Sequence, residues 1–291
     1  MIWIVGAKGM LGQEVVRQLN TLRLSHIDSD MDCDITDPAA VTRFSSGRPI
    51  KWIVNCSAYT AVDKAEDEES KADAVNAIGP ANLGRVAAAL GARTIHLSTD
   101  YIFDGEASSP YAESTPPAPR GAYGRTKLRG ENLLTTATPE YFIVRTAWLY
   151  GVRGKNFVYT MLRLMNERAE VSVVDDQYGT PTYARDLAAA LCSIITEDSH
   201  AYGIYHYSNE GETTWFQFAR AIYDLGKASG RVKNTCDVRA TTADRYPTKA
   251  VRPRYSVLSK QKIRETFRIS IPIWQDGLAR FFLELDEEGI E

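Results

Sequence analysis

The stretch YGRTK, residues 123 to 127, sets a phenol and an ammonium one helical turn apart. On a helix, residues i and i+4 share a face. A cation beside a phenol favours the phenolate and lowers its pKa. Tyr123 and Lys127 so placed make a proton donor or acceptor usable near neutral pH, which is what general acid–base chemistry requires. Alone, the five residues also describe a surface tyrosine beside a solvated lysine, so the surrounding elements must decide between the two.

A second group of residues points the same way. GAKGMLG places Gly6, Gly9 and Gly12 three apart, after the strand-like IWIV and before the helix-like MLGQEVVRQL. A turn without Cβ atoms lets the backbone approach a pyrophosphate. The helix that follows then offers free N–H groups and the positive end of its dipole. The spacing is GxxGxxG rather than the GxGxxG of many dehydrogenases. Roughly 20 residues further on, a carboxylate should meet the adenosine ribose. HIDSDMDCDITD supplies Asp28, Asp30, Asp32 and Asp34, with Asp28 at the expected strand end. A carboxylate there repels a 2′-phosphate, which mildly favours NADH over NADPH. The acidic run is no calcium loop, because Cys33 stands where the invariant glycine belongs and Ala39 where the bidentate glutamate belongs.

These groups need a scaffold that brings them together. Short β-branched runs at 2–5, 52–55, 94–99, 142–150 and 171–174 alternate with helical stretches at 10–19 and 80–91. That alternation predicts a doubly wound parallel sheet with helices on both faces, whose strands read as continuous apolar runs. DGEASSPYAESTPPAPRG reads as a loop. After about residue 200 the texture changes to a short strand, a turn, an amphipathic helix and a last helix near 274–285. The expected organisation is a dinucleotide-binding domain over 1–153 and 170–200, with a smaller C-terminal α/β substrate domain over 154–169 and 201–291.

Bulk properties exclude several classes. A net charge of −3 over 291 residues gives no electrostatic case for nucleic acid or an anionic membrane surface. No apolar run approaches the ~20 residues of a membrane helix. MIWIVG opens on a strand without a signal-peptide n-region. Four cysteines without a CxxC pair read as reduced core thiols of a cytoplasmic protein. The four histidines make no zinc spacing.

With LSTDYIFDG (97–105), YGRTKLRGE (123–131) and RTAWLYG (145–151) beside the glycine loop, the sequence resembles the extended short-chain dehydrogenase/reductases. Within them it is similar to the dTDP-4-dehydrorhamnose reductase family. NCSAYTAVDKAE (55–66), NFVYTMLRL (156–164), DDQYGTPT (175–182) and AVRPRYSVL (250–258) stand in that family's order, nearly end to end. The resemblance implies a Rossmann-type sheet and reduction of a nucleotide-sugar C4 ketone by NADH or NADPH. Thr99, Tyr123 and Lys127 are the implied catalytic triad. Tyr123 would protonate the sugar oxygen, Thr99 would hydrogen-bond it, and Lys127 would hold the nicotinamide ribose. Further implied cofactor contacts are Met10, Leu11, Asp34, Ile35, Ser57, Ala58 and Tyr59. Implied substrate contacts, besides Thr99, are Asp100 and Trp148 at the sugar nucleotide, with Asn156 and Arg252 at the diphosphate, where an arginine fork donates twice.

One departure from the family's pattern stands out. Some members bridge subunits with a divalent metal, and Glu14 and Glu284 match two of its carboxylate positions. Arg185 stands where a third acid belongs, and a cation there opposes a metal. No metal is expected, and the protein should be a monomer or a homodimer. The rival readings are a reductase, epimerase or dehydratase of another nucleotide sugar, and a non-catalytic subunit like the regulatory partner of methionine adenosyltransferase. The acid pair of a dehydratase is incomplete here, since Thr99 is followed by Asp100 and Tyr101.

Overall fold

The computed structural model describes residues 1–287 and 289. The last residues of the expected substrate domain, 288, 290 and 291, lie outside the described residues. The chain opens with β1 (Ile2–Val5), α1 (Met10–Thr21), β2 (His26–Ser29), α2 (Pro38–Ser45) and β3 (Trp52–Asn55). Then come α3 (Val62–Ala65), α4 (Glu69–Asp73), a π-helical turn (Ala74–Ile78) and α5 (Gly79–Leu90). β4 (Arg93–Thr99), α6 (Ala122–Ala137) and β5 (Tyr141–Thr146) complete the first half. The second half holds β6 (Leu149–Tyr150), α7 (Phe157–Glu167), β7 (Glu170–Val174), β8 (Tyr178–Gly179), β9 (Thr182–Tyr183) and α8 (Ala184–Thr196). It ends with β10 (Gly203–His206), β11 (Thr213–Thr214), α9 (Trp215–Ala228), β12 (Asp237–Thr241), α10 (Gln261–Phe267) and α11 (Trp274–Glu287).

Six strands form one sheet in the order β10-β5-β4-β3-β1-β2, and every pairing is parallel. β1 and β3 are buried along their whole length, as their apolar runs require. One face is covered by Leu11, Val15 and Leu19 of α1, Leu187 and Leu191 of α8, and Ile263 and Phe267 of α10. The other is covered by Val41 of α2 with Leu83 and Ala87 of α5. From β1 the chain moves outward to β2, then returns past β1 to β3. The winding therefore reverses between β1 and β3, and the carboxyl ends of those strands are where such a sheet opens a ligand crevice.

The observed strands differ from the expected ones in three places. β7 pairs with β12, not with the large sheet. Its burial alternates along the strand, so VSVV is a one-sided strand rather than a doubly buried one. Its Val171 and Val173 join a second core with Val158, Met161, Phe218, Ile222, Leu278 and Phe281. β10, expected in the smaller unit, is the edge strand of the large sheet beside β5. Its polar and aromatic make-up hid that role. The run FIVRTAWLY breaks after Thr146, because Trp148 takes a left-handed φ of 46° and turns the chain out of the sheet. No helix among the described residues is long and apolar enough to cross a membrane.

Beneath β4 and β5 lies a fully buried ion pair. Arg145 donates twice to Glu131 of α6, at 2.9 and 2.7 Å. Removing one member leaves the other charge buried and unpaired. Arg145→Met should lower unfolding stability by about 3–5 kcal/mol, and Arg145→Met combined with Glu131→Leu should recover most of it. Urea unfolding of both variants measures this; a double variant as unstable as the single one would contradict it.

Candidate active site

The glycine loop sits at the crevice. Gly6 has φ +76°, and a Cβ on it would stand 2.8 Å from the Ser57 nitrogen. A Cβ on Gly12 would stand 2.2 Å from the Gly6 carbonyl oxygen. The loops after β1 and β3 thus touch, and α1 packs directly against the turn. Gly9 caps α1 without a side chain. An uncapped N-terminus at the end of such a cradle suits the diphosphate of a dinucleotide.

Helix α6 carries Tyr123 and Lys127 on its first turns. Its N-terminal N–H, at Ala122, donates to the Glu66 carboxylate at 2.9 Å, a favourable place for an anion. The glycine inside YGRTK has a steric cause: a Cβ on Gly124 would lie 2.1 Å from the Tyr101 carbonyl oxygen. One turn and a half on, a Cβ on Gly130 would lie 2.0 Å from the Asn76 carbonyl oxygen, in the π-helical turn. α6 is therefore pressed against the end of β4, and Lys127 enters the interior with 1% exposure.

There Lys127 Nζ donates to the Leu97 carbonyl at 2.6 Å and lies 3.4 Å from His96 Nε2. Burial lowers its pKa to about 8, against the pull of Glu131. Tyr123 behaves contrary to the sequence expectation. Burial raises its pKa, and only the Thr99 hydroxyl opposes this, because Lys127 is turned toward β4. The phenol is held protonated. Tyr101 packs edge-on against the Tyr123 ring at 5.5 Å.

Asp100 is buried beside Thr99, whose hydroxyl donates to its Oδ1 at 2.9 Å. Its Oδ2 meets no partner at hydrogen-bonding geometry, although the Ser256 hydroxyl eases its charge. Burial raises its pKa to about 6. Trp148 stacks face to face on Trp215, centroids 3.6 Å apart, and Phe157 closes on the same ring at 4.5 Å.

Other expected residues have structural partners. Asn156 caps α7, accepting from the Tyr159 N–H at 3.2 Å and donating to the Gly151 carbonyl at 2.7 Å. Arg252 donates to the Tyr101 hydroxyl at 2.8 Å and to Asp63 at 2.6 Å. Tyr59 is tied through its backbone to Asn76 and through its hydroxyl to Glu68. Ser57 donates twice to Asn55 Oδ1, and Ala58 follows it, half-buried. Met10 faces Gly151, and Leu11 is buried in the core.

Three further residues expected at the cofactor have local partners of their own. Ile35 is buried against Gly79, and Asp34 bonds back to Thr36 in its own turn. Asp28 pairs in register with Ile4, before the strand end, and its half-exposed carboxylate lies 3.7 Å from His26. The carboxylate on the glycine loop belongs to Asp30, which accepts from the Lys8 N–H at 2.9 Å. Asp28, Asp30 and Asp32 nonetheless line one groove with Lys8, Arg17 and Arg153.

Sequence reasoning missed Tyr101, Trp215, His96 and the acids of TAVDKAE. Asp63 clamps Ala250 and Arg252, while Glu66 caps α6. On the outer side of α1, Arg185 lies between Glu14 (3.9 Å) and Glu284 (3.2 Å), and Arg17 and Tyr183 also bond Glu284. Among the described residues no cluster of three or more His, Cys, Asp or Glu could hold a metal.

The raised pKa of Asp100 carries a stability consequence. Its stabilising form is the protonated one, so stability is highest below the unfolded pKa and falls as pH rises toward about 6. Asp100→Asn should gain up to about 3 kcal/mol at pH 7, with the gain vanishing near pH 4. A gain that does not change between those pH values in denaturant titrations would remove burial of this charge as its cause.

Comparison with known proteins agrees with this geometry. The family model described as the RmlD substrate binding domain matches residues 1–287. A dTDP-4-dehydrorhamnose reductase of Streptomyces griseus is 41% identical, covering 96% of this chain and 92% of its own. A dTDP-4-keto-6-deoxy-D-glucose reductase of Streptomyces niveus is 40% identical, covering 98% of each. The solved dTDP-4-dehydrorhamnose reductase of Bacillus anthracis, in complex with NADP, superposes with a TM-score of 0.91 at 38% identity, covering 97% of this chain and 98% of that one. With its model matched over nearly the whole length and relatives this similar from end to end, the chain belongs to the dTDP-4-dehydrorhamnose reductase family.

Proposed function

We propose that the protein reduces the C4 ketone of dTDP-4-dehydrorhamnose to give dTDP-L-rhamnose, with NADH or NADPH as reductant. The observation that carries the reading is the partly buried Tyr123 phenol, held protonated beside Thr99 at the carboxyl end of β4. A ketone reduction needs a donor that is protonated at working pH, and burial keeps Tyr123 in that form.

The glycine loop, the N-terminus of α1 and the turn at 57–59 hold the cofactor, which supplies hydride to the sugar carbon when bound. Thr99 orients the sugar oxygen. Tyr123 gives that oxygen its proton, leaving a phenolate that solvent reprotonates. Lys127 sits one turn below, its amine fixed by the Leu97 carbonyl. Trp148 and Trp215 form an apolar wall for the nucleotide sugar, and Arg252 supplies the cation nearest Tyr101. The relative named as a 4-keto-6-deoxy-D-glucose reductase makes a ketone of different ring configuration the second substrate to test. The protein acts as a monomer or a homodimer, and Arg185 serves between Glu14 and Glu284 as an internal cation.

Tyr123→Phe keeps the ring and removes the proton. Its kcat should fall roughly 10²–10⁴-fold with cofactor affinity unchanged, read by nicotinamide absorbance with each keto-sugar. Turnover within threefold of wild type would exclude Tyr123 as the acid.

NADH is favoured because Asp30 is fixed on the glycine loop. Two like charges about 4 Å apart at an effective dielectric near 20 repel by roughly 4 kcal/mol before solvent relaxes. A residual of about 1–2 kcal/mol corresponds to roughly a fivefold to thirtyfold preference. Asp30→Ala should erase that preference, while Asp28→Ala should change it little. Measured kcat/KM for both cofactors in the three proteins decides it; a wild type that prefers NADPH would contradict it.

A further inference from the structure

A buried chain of polar side chains runs from the crevice turn to the lysine of α6. The Ser57 backbone N–H can only donate, and it reaches Asn55 Oδ1 at 3.0 Å. The Ser57 hydroxyl reaches the same oxygen at 2.5 Å. These bonds fix which end of the Asn55 amide is oxygen. Its other end, Nδ2, is a donor and faces His96 Nδ1 at 3.1 Å. A neutral imidazole has one donor and one acceptor nitrogen. Nδ1 must accept here, so the proton of His96 is on Nε2. That N–H faces Lys127 Nζ at 3.4 Å. An ammonium has three donors and no acceptor, whereas a neutral amine can accept. The lysine's other bond, to the Leu97 carbonyl, serves either form.

We propose that His96 is a positioning residue that sets the protonation state of Lys127, favouring the uncharged amine through a tautomer dictated by Asn55 and the Ser57 backbone. The proposal rests on the reading of Lys127 as a site residue given above. The charged and titratable groups around the amine leave this control in place. From α6, Glu131 pulls toward the ammonium, but Arg145 of β5 holds both of its oxygens. Tyr123, on the preceding turn of α6, stays protonated. From β4 only His96 titrates beside it, and burial keeps that ring neutral. The relay starts at Ser57, whose nitrogen is the atom that a Cβ on Gly6 would strike. The backbone that seats the glycine loop therefore also orients the proton on His96.

The test reads the tautomer directly. The full-length enzyme labelled with ¹⁵N-histidine is recorded in long-range ¹H–¹⁵N spectra, and the His96 signal is assigned by its loss in His96→Gln. The expected pattern between pH 6 and 9 is a neutral ring protonated on Nε2. A ring protonated on Nδ1, or an imidazolium at pH 6, overturns the proposal. In a second measurement ¹³Cε-lysine spectra follow the titration of Lys127, assigned with Lys127→Met. His96→Gln offers an amide oxygen that accepts from the ammonium. It should raise the lysine's protonation constant tenfold or more, and an unchanged constant overturns the proposal. Turnover of Lys127→Met is the separate control. Wild-type turnover there removes Lys127 from the chemistry, whereas an inactive Lys127→Met with the wrong His96 tautomer overturns the His96 assignment alone.

Discussion

Placing the Lys127 amine inside the protein is the constraint on which the rest of the structure depends. A lysine 1% exposed loses its water and must find fixed partners. It finds the Leu97 carbonyl and the His96 ring, both on β4. To reach them, α6 must lie closer to β4 than side chains normally allow. Gly124 and Gly130 remove the two Cβ atoms that would collide with the Tyr101 and Asn76 carbonyls. The π-helical turn at 74–78 presents the second of those carbonyls, and its Asn76 side chain also holds Tyr59 and Thr126 in place. The same close approach partly buries Tyr123, and the loss of water keeps its proton on. A helix packed for one residue thereby determines the acidity of another.

Besides the apolar packing of α10 and of Leu258, polar and aromatic contacts join the smaller half of the molecule to this centre. Asp63 holds the backbone of Ala250 and the side chain of Arg252, which reaches over to Tyr101. Lys249 adds a pair with Asp67. Trp148, set in the left-handed region at the exit of β5, stacks on the first residue of α9. Away from the crevice Arg185 draws together buried acids from α1 and α11. These contacts carry charge or ring faces, and they lie at the mouth of the crevice rather than under the sheet. The two cores on either side are separate clusters, consistent with a crevice that is lined by both halves.

What could be read in the sequence is what depends on neighbours in sequence. β1 and β3 are spelled by their apolar runs, the glycine loop by its spacing and context, and Tyr123 with Lys127 by one helical turn. Properties set by distant residues were hidden. Asp28 and Asp30 differ only in which one meets the Lys8 N–H, and the strand end decides that. VSVV looks like a central strand until Asp237–Thr241 pairs with it. The Tyr123 pKa depends on how deep α6 sits, and the spacing to Lys127 carries no information on depth. His96 was read as one more strand residue. Only the contact with Asn55, 41 positions earlier, gives it a defined proton.

The Asp63 clamp also has a meaning in time. Its partner Arg252 follows it by 189 residues. At roughly 5–20 residues per second, a ribosome needs about ten to forty seconds to make that interval. During that time β1 to β5 and the glycine loop can assemble from chain already made. Asp63, the Tyr101 hydroxyl and the mouth of the crevice must wait in water for about the last seventh of the protein. The nascent chain thus has α6, with Tyr123 and Lys127, in position well before the segment that holds Arg252, and the crevice is complete only as that final segment docks.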